Sequence, residues 1–270
     1  MDDDSRELSE VRGYKVVKAN DLIQKSRFSL QLQEQKVILY LISKIKREDL
    51  ELKEHEFDIR DFCRVCGAGV DSGANYKDIR KTLKDLRDKS IWVTLPNGAE
   101  TTLAWLDKVT ISPNSGKVII RFDDLLKPYL LQLQGKYTQY ELLYTLAMKS
   151  QYSIRLYELL KSYENLGKKL FYIEELKTRL SAENYARYPD FKRKVLDISI
   201  REINAVSDLN ITYTLAKQGR KFVDIEFIIK AKIDLEERLE MIAQIDAVIS
   251  PDKVTLRDRI ENAEQKKTQG

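Results

Sequence analysis

Two stretches of the chain repeat one succession of hydrophobic and polar positions. An apolar helical pattern that begins near Gln31 ends in Leu39-Tyr40-Leu41-Ile42-Ser43-Lys44, and a second such pattern ends in Leu156-Tyr157-Glu158-Leu159-Leu160-Lys161. Short strand-like segments follow, 57–59 in the first half and 171–173 in the second. The next apolar residues are spaced i, i+3, i+7, as on one face of a helix. This spacing is carried by Ile59, Phe62 and Cys66, and again by Ile173, Leu176 and Leu180.

Each repeat continues with a basic amphipathic helix and then a β-rich stretch. The basic helices open with Tyr76-Lys77 and Phe191-Lys192, and the β-rich stretches are 91–95 and 211–215. Turn residues at 96–98, 113–116 and 217–220 predict β-hairpins, because asparagine and glycine adopt the tight turns that hairpins need. A helix–turn–helix followed by a hairpin is the winged-helix arrangement.

The repeated order predicts an α+β fold with two tandem winged-helix domains. The first domain is placed at 15–134 and the second at 137–232. An acidic N-terminal segment, 1–14, precedes them, and a charged C-terminal tail, 233–270, follows. In that tail Leu235, Leu239, Ile242 and Ile245 predict one more amphipathic helix, a helical tail suited to packing or partner contact.

Charge and composition narrow the class of protein. Hydrophobic residues make up 43% and charged residues 33%, enough for a core beneath a charged surface. The net charge of +4 is uneven, since both ends are acidic and the middle is basic, an arrangement common in nucleic-acid binders. No apolar run approaches the ~20 residues of a membrane span. The acidic start and the two cysteines favour the reducing cytoplasm.

The second basic helix, residues 191–206, is the main candidate for DNA contact, because the second helix of the turn motif usually enters the major groove. At 100° per residue its core arc holds Phe191, Val195, Leu196, Ile198, Ile200, Ile203 and Val206. Lys192, Arg193 and Lys194 suit phosphate contact, while Arg201 and Asn204 are types that read guanine and adenine edges. Asp197 repels phosphate unless it pairs with Arg201 or accepts from a cytosine amino group.

The first basic helix, residues 75–89, has a narrow apolar seam of Ile79, Leu83 and Leu86 with Tyr76 beside it. Its candidate DNA-binding residues are Lys77, Arg80, Lys81, Lys84 and Arg87. Lys217, Arg220 and Lys221 at the second hairpin tip are candidates for backbone contact by a wing. The alternative for either helix alone is a solvated charged face.

Several kinds of chemistry are disfavoured. A nicking tyrosine beside a metal held by paired histidines cannot be built within one copy from the single histidine, His55, which is expected at the surface. The chain lacks a Gly-x-x-x-x-Gly-Lys-Ser/Thr loop, which disfavours ATP-driven activity. The glycines of 67–73 indicate a loop and not a dinucleotide site. Cys63 and Cys66 lack further zinc ligands and are expected in the core, with a zinc shared across a dimer or a redox role as alternatives.

Three segments resemble the iteron-type plasmid replication initiators, a family of tandem winged-helix proteins. They are Val16-Val17-Lys18-Ala19-Asn20-Asp21-Leu22-Ile23, Ser153-Ile154-Arg155-Leu156-Tyr157-Glu158-Leu159-Leu160, and residues 188–204. The resemblance covers roughly residues 15–230 and is strongest in the second half. It implies that the second domain reads sequence with residues 193–204 and that the first grips an adjacent groove face and carries dimer contacts.

The resemblance also implies partners. Monomers of such initiators bind direct repeats in double-stranded origin DNA and open the origin, while a homodimer in equilibrium with the monomer represses the initiator's own gene. The host replication initiator and the replicative helicase or its loader are expected partners, and no cofactor is expected. The open alternatives are a winged-helix transcriptional repressor without a replication role, a nicking enzyme, and a module that binds only proteins.

Overall fold

The computed structural model of the protein describes residues 15–46, 48–65, 73–112, 116–219 and 221–232. The predictions for the acidic segment 1–14, for Cys66, for the loop at 67–72, for the turn residues 113–115, for Arg220 and for the helical tail 233–270 lie outside these residues.

The described chain alternates short helices with antiparallel strands. The strands are β1 (Lys15–Ala19), β2 (Ser26–Arg27), β3 (His55–Asp58), β4 (Ser90–Thr94), β5 (Glu100–Ala104), β6 (Leu106–Ile111), β7 (Lys117–Phe122), β8 (Tyr137–Glu141), β9 (Lys168–Tyr172), β10 (Leu209–Gln218) and β11 (Lys221–Ala231). The α-helices are α1 (Asn20–Gln24), α2 (Leu32–Ile42), α3 (Ile59–Val65), α4 (Gly73–Asp88), α5 (Lys127–Leu130), α6 (Leu142–Ala147), α7 (Gln151–Lys161), α8 (Ile173–Arg179), α9 (Tyr188–Phe191) and α10 (Asp197–Val206). Two 3-10 turns (Asp124–Leu126, Glu164–Leu166) and one π-helical turn (Lys192–Leu196) complete the set.

The long apolar helices α2 and α7 start and stop in similar ways. The backbone N–H of Gln31 donates to the Glu34 carboxylate at the start of α2, and Ser150 accepts from Tyr152 at the start of α7. Each helix ends at a serine whose hydroxyl donates to a carbonyl three residues back, Ser43 to Tyr40 and Ser162 to Leu159. Such caps satisfy groups that a helix end leaves without partners.

The two halves share one sheet order. In the second half the sheet runs β10-β11-β9, so the strand before the helix–turn–helix pairs with the far strand of the hairpin. In the first half β6-β7-β3 has the same arrangement. In each half two helices follow the edge strand before the chain reaches the hairpin, α3 and α4 in the first and α8 and 188–206 in the second. The prediction of two winged-helix domains is confirmed.

One predicted equivalence is wrong. Segment 91–95 is not the counterpart of 211–215, because β4 pairs with β2 and β5 in a separate sheet. The counterpart of β10 is β6, so the hairpin of β4 and β5 is an addition without a counterpart among the described residues of the second half. Its turn does contain the predicted glycine, Gly98, with a positive φ of 85°.

The halves meet through a pair of strands and a buried polar cluster. β1 pairs antiparallel with β8, so each half contributes its opening strand to one two-stranded sheet. Beneath it, the fully buried Lys18 of β1 forms an ion pair with Glu158 of α7, which also accepts from the Tyr140 hydroxyl at 2.5 Å. Burial lowers the pKa of Lys18, opposed by the adjacent carboxylate. One hydrophobic core includes residues of both halves.

Candidate nucleic-acid interface

The helix of residues 188–206 is continuous but not uniform. Its centre, Lys192–Leu196, is a π-helical turn between α9 and α10. A π turn inserts one extra residue per turn, and so it rotates everything beyond it around the helix axis. Ser199 and Ile203 are fully buried, whereas Ile198, Ile200 and Val206 are only partly buried. The predicted core arc is correct at Phe191, Val195, Leu196 and Ile203, which are buried, and at Ile200 and Val206, which are partly buried and pack against the core. It is wrong at Ile198, which is partly buried and is not among the residues of the core cluster.

The cations of this helix differ in how far they are already paired. The Lys192 ammonium donates to both carboxylate oxygens of Asp197, at 2.7 and 2.8 Å, and this hydrogen bond raises the pKa of Lys192. Arg193 is exposed and only 3.4 Å from Asp190, at the limit of a hydrogen bond. Lys194 is exposed, with its ammonium 5.7 Å from the centre of the Tyr185 ring.

Arg201 is exposed, and it forms no ion pair with any residue in the described part of the chain. Asp197 therefore has a partner, but it is Lys192 and not Arg201, the partner considered from sequence. Arg193, Lys194 and Arg201 are thus the cations most available to an external anion on this helix.

Asn204, a candidate for reading an adenine edge, has its side-chain amide in contact with the wing. Its amide nitrogen donates to the carbonyl of Ile211 at 2.9 Å, and its amide oxygen accepts from the N–H of Ile211 at 2.7 Å. These two hydrogen bonds tie α10 to β10, and they leave the amide one further donor and one further acceptor position.

The wing of the second half is attached to the start of the same helix. Phe222 of β11 packs on Tyr188 with ring centres 4.5 Å apart, and the Lys217 ammonium lies 4.5 Å from the Phe222 ring centre. Burial raises the pKa of Tyr188 to about 12, so this ring stays neutral. Lys217 and Lys221 are exposed on either side of Gly219, which has a positive φ of 61° at the turn. Candidate Arg220 lies outside the described residues.

The helix α4 of the first half matches its predicted faces. Ile79, Leu83 and Leu86 are buried, and the five candidates Lys77, Arg80, Lys81, Lys84 and Arg87 are exposed. Among them, Lys81 lies 2.6 Å from Asp85, and the Arg87 guanidinium donates to the Asp107 carbonyl at 2.8 Å.

Ion pairs also occupy the cations of the first wing, which is the hairpin of β6 and β7. Lys108 pairs with Glu54, Lys117 with Glu56 and Arg121 with Asp107. In the second wing, Lys217 and Lys221 form no ion pair with any described residue. The two wings therefore differ in the charge that they offer to a phosphate.

Two residues that fix the second helix were not predicted from sequence. The Glu202 carboxylate accepts from the backbone N–H groups of Lys149 and Ser150, both at 3.2 Å, and so ties α10 to the start of α7. Lys177 of α8 is 2% exposed, donates to Glu174 at 2.8 Å and lies under the Phe191 ring. The contacts of Glu202 with residues 149–150 and of Lys177 with Phe191 join different elements, so no local pattern points to them.

The structure also places the cysteine and the histidine that were considered as metal or redox residues. Cys63 is buried, as expected for a core thiol. His55 is half-buried in β3 beside Phe122, so the prediction of a surface histidine is wrong. Within the described ranges, no group of three or more His, Cys, Asp or Glu side chains could hold a metal ion. Within the same ranges, no helix is both long enough and apolar enough to span a membrane.

The chain matches two family models, "Initiator Replication protein, WH1" over residues 15–161 and "Initiator Rep protein, WH2" over residues 172–229. It is 33% identical over 147 residues to the PI protein of Escherichia coli, a match covering 47% of this chain and 48% of that protein. It therefore spans about half the length of that relative. A replication initiation protein of Escherichia coli is 26% identical over 246 residues, covering 86% of this chain and 73% of that protein.

Among solved structures, the Pi initiator protein in complex with iteron DNA has a TM-score of 0.67 and 24% sequence identity. The match covers 83% of this chain and 99% of that one. This likeness supports the fold.

Proposed function

Because the chain belongs to the initiator replication protein family, we propose that it is a plasmid replication initiator that binds direct repeats in double-stranded origin DNA. The observation that carries the proposal is the outward placement of Arg193, Lys194 and Arg201 on helix 188–206, beside the exposed Lys217 and Lys221 of the wing. A basic helix with a basic wing beside its first turn fits a major groove and the adjoining phosphates.

The two domains divide the work in this proposal. The second domain supplies sequence readout, with Arg201 as the base-contacting residue and with Arg193 and Lys194 on phosphates. The first domain grips an adjacent groove face with Lys77, Arg80, Lys84 and the remaining cations of α4. Because the cations of the first wing are already paired with carboxylates, the first domain contributes mainly through α4.

Further parts of the proposal concern assembly and partners. The monomer opens the origin and recruits the host initiator and the replicative helicase or its loader, and a homodimer represses the initiator's own gene. The protein works in the cytoplasm, needs no cofactor and has no catalytic step of its own. Supercoiled origin DNA incubated with the protein and a divalent metal is therefore expected to stay supercoiled.

The experiment that tests DNA binding is selection of bound duplexes from a random library at about 150 mM salt, where phosphate attraction alone is weakened. The expected result is one long motif that covers two neighbouring groove faces. Arg201→Ala should relax the motif at one position, whereas Arg193→Ala should lower the affinity for all duplexes. Lys53→Ala serves as the control, since Lys53 is an exposed cation far in sequence from both helices and should change neither property. Selection that yields no motif would overturn the proposal.

A second experiment separates initiation from repression. The test plasmid carries its origin but lacks its initiator gene. A second replicon in the same cell supplies the gene of this protein. The plasmid should be maintained with the unmodified gene and lost with the Arg193→Ala, Lys194→Ala variant. Normal repression of a reporter without plasmid maintenance would assign the protein to the transcriptional repressors instead.

A further inference from the structure

The strand β9 forms a free edge of the sheet in the second domain. The strand order is β10-β11-β9, so β11 lies on one side of β9, and no other strand of the described residues pairs with it. Two large hydrophobic side chains of this strand, Leu170 and Tyr172, are 48% and 64% exposed. A strand edge with exposed apolar side chains is a template for pairing with another strand.

The backbone of β9 presents hydrogen-bonding groups at this edge in a regular order. On the side facing β11, the N–H of Ile229 donates to the carbonyl of Gly167 at 2.8 Å. Hydrogen-bonded and non-hydrogen-bonded pairs alternate along an antiparallel ladder, so residues 169 and 171 are the next to bond to β11. The residues between them direct their N–H groups to the free edge, and these are Lys168, Leu170 and Tyr172.

The side chains of those three residues lie together on the outer face of the sheet. Phe171 is buried, and the Lys169 ammonium lies 4.9 Å from the centre of the Tyr163 ring, so both point inwards. Side chains alternate along a strand, and the residues on either side of Phe171 therefore point outwards. Their cross-strand neighbours on β11, in the order 168, 170 and 172, are Ile228, Glu226 and Asp224.

Opposite charges lie at the two ends of this outward-facing row. At one end, Lys168 is exposed, with its ammonium 4.0 Å from the Glu226 carboxylate, at the limit of an ion pair. At the other end, one carboxylate oxygen of Asp224 is buried without a hydrogen-bond partner among the described residues. A row with an apolar centre, a cation at one end and a carboxylate at the other is complementary to an inverted copy of itself.

A second β9 strand related by a two-fold axis matches the backbone of this edge. Leu170 is the middle residue of β9, and an antiparallel pair centred on it places Leu170 opposite Leu170 of the second copy. These two residues then exchange two backbone hydrogen bonds. The N–H of each Tyr172 donates to the carbonyl of Lys168 in the other copy. All three outward-facing residues therefore find backbone partners in this register.

The side-chain charges match in the same register. Lys168 of the second copy comes to lie beside Tyr172, whose neighbour on the other side is Asp224. Its long side chain can follow the ring towards that carboxylate. The Glu226 carboxylates of the two copies are three strand spacings apart, about 14 Å. Because charges are screened beyond about 8 Å at physiological salt, these carboxylates do not oppose the pairing.

Pairing at β9 leaves helix 188–206 uncovered. The end of this helix is tied to β10, the opposite edge strand of the sheet, through the hydrogen bonds between Asn204 and Ile211. The cations Arg193, Lys194 and Arg201 are exposed on that helix. Two paired copies therefore present both basic helices at the same time.

We propose that two copies of the protein associate through antiparallel pairing of their β9 strands, with Leu170 on the two-fold axis. The two three-stranded sheets become one sheet of six strands. This contact is separate from the dimer contacts expected in the first domain. One pair of five-residue strands makes an interface smaller than the roughly 1,200 Å² of stable complexes, so the association is weak and depends on a high local concentration.

The first test places a photo-activated benzoylphenylalanine at position 170 of the full chain, at about 100 µM protein because a small interface binds weakly. Trypsin cleaves after Lys169 and Lys177, so the probe lies in peptide 170–177. The expected product is this peptide linked to a second copy of itself, which cannot form within one chain. The same probe at Leu125, a leucine that is 58% exposed in the first half, should give no link to peptide 170–177. Links from position 170 to other peptides alone, or no link, would overturn the proposal.

The second test exchanges the apolar pair on the axis for charges. Leu170→Lys and Leu170→Glu each place like charges opposite one another, whereas a mixture of the two variants places opposite charges there. A carbodiimide joins an amine and a carboxylate that are in direct contact. In the mixture it should form an amide between the two substituted side chains, with a yield at least tenfold above that of the matched mixture of Leu125→Lys and Leu125→Glu. Equal yields, or no such amide, would rule out the pairing. Neither test involves DNA, so a failure here leaves the proposed function untouched.

Discussion

The Lys192 ammonium group lies 2.7 Å from a carboxylate oxygen of Asp197, five positions further along the chain. In a regular α-helix, side chains three or four positions apart are neighbours. The five-residue spacing follows from the π-helical turn at Lys192–Leu196, which brings these two side chains onto one face. Asp197 is thereby neutralised by Lys192, and Arg201 keeps its charge for another partner.

Asp197→Asn is expected to strengthen DNA binding. The substitution removes a negative charge from the basic helix and releases Lys192 to contact a phosphate. The dependence of log Kd on log salt should become steeper by about one phosphate contact. Titrations of a specific and an unrelated duplex at several salt concentrations measure this slope. An unchanged slope would mean that Lys192 lies too far from the DNA backbone to take part.

The hydrophobic pattern of this helix shows what could be predicted from sequence and what could not. Phe191, Val195, Leu196 and Ile203 follow the pattern and are buried. At 100° per residue Ser199 lies about 80° from Phe191, inside the same arc, and it is buried although it is polar. A hydrophobic pattern does not identify a buried serine, and no residue type marks the position of the π-helical turn at Lys192–Leu196.

Asn204→Ala is expected to reduce stability and to leave sequence preference intact. It removes both hydrogen bonds to the backbone of Ile211 and leaves those groups, part-buried, without partners. The free energy of unfolding should fall by about 1–3 kcal/mol. Urea denaturation measures this loss, and duplex selection measures the preference. Arg201→Ala is the matched comparison, with the opposite expected pattern of unchanged stability and altered preference.

A single substitution in the buried pair Lys18–Glu158 is expected to be strongly destabilising. Glu158→Gln leaves the Lys18 ammonium buried without a counter-charge, which costs about 3–5 kcal/mol. The double variant Lys18→Met, Glu158→Leu should recover most of this loss, because it removes both charges together. Thermal denaturation of Glu158→Gln, of Lys18→Met and of the double variant forms the test. If the double variant is less stable than both single variants, the pair is not the source of the effect.

The Lys18–Glu158 pair joins two of the three segments that resemble the initiator family. Lys18 belongs to the first of the resembling segments, and Arg155 and Glu158 belong to the second. Arg155 donates to the carbonyls of Ile23 and Ser26 at 2.8 and 3.0 Å, again joining the two halves. Two of the three segments therefore contribute residues to the contact between the two halves. Sequence alone could not show this, since it gives the segments but not their distance in space.

His55→Gln is expected to flatten the pH dependence of stability between pH 7 and 5. Burial lowers the pKa of His55 below its ordinary value of 6.5, so the unfolded chain takes up the proton at a higher pH than the folded one. Stability is therefore lost as the pH falls below about 6.5 towards the lower folded pKa. Urea midpoints at several pH values measure the slope. Because His55 is the single histidine, a slope that persists in His55→Gln would have to arise from other groups.

Phe222→Leu is expected to weaken DNA binding without changing its salt dependence. Phe222 carries no charge, but its ring lies between Tyr188 and the Lys217 ammonium and so holds the wing against the start of the DNA-contacting helix. A looser wing must be ordered when the DNA binds, which costs affinity for specific and unrelated duplexes alike. Lys217→Met should behave differently, with a salt dependence shallower by about one contact, since it removes a charge. Tyr172→Leu, on the opposite face of the same sheet, is the control and should change neither quantity. If Phe222→Leu reduced the salt dependence as Lys217→Met does, the ring would act by placing the ammonium on a phosphate and not by holding the wing.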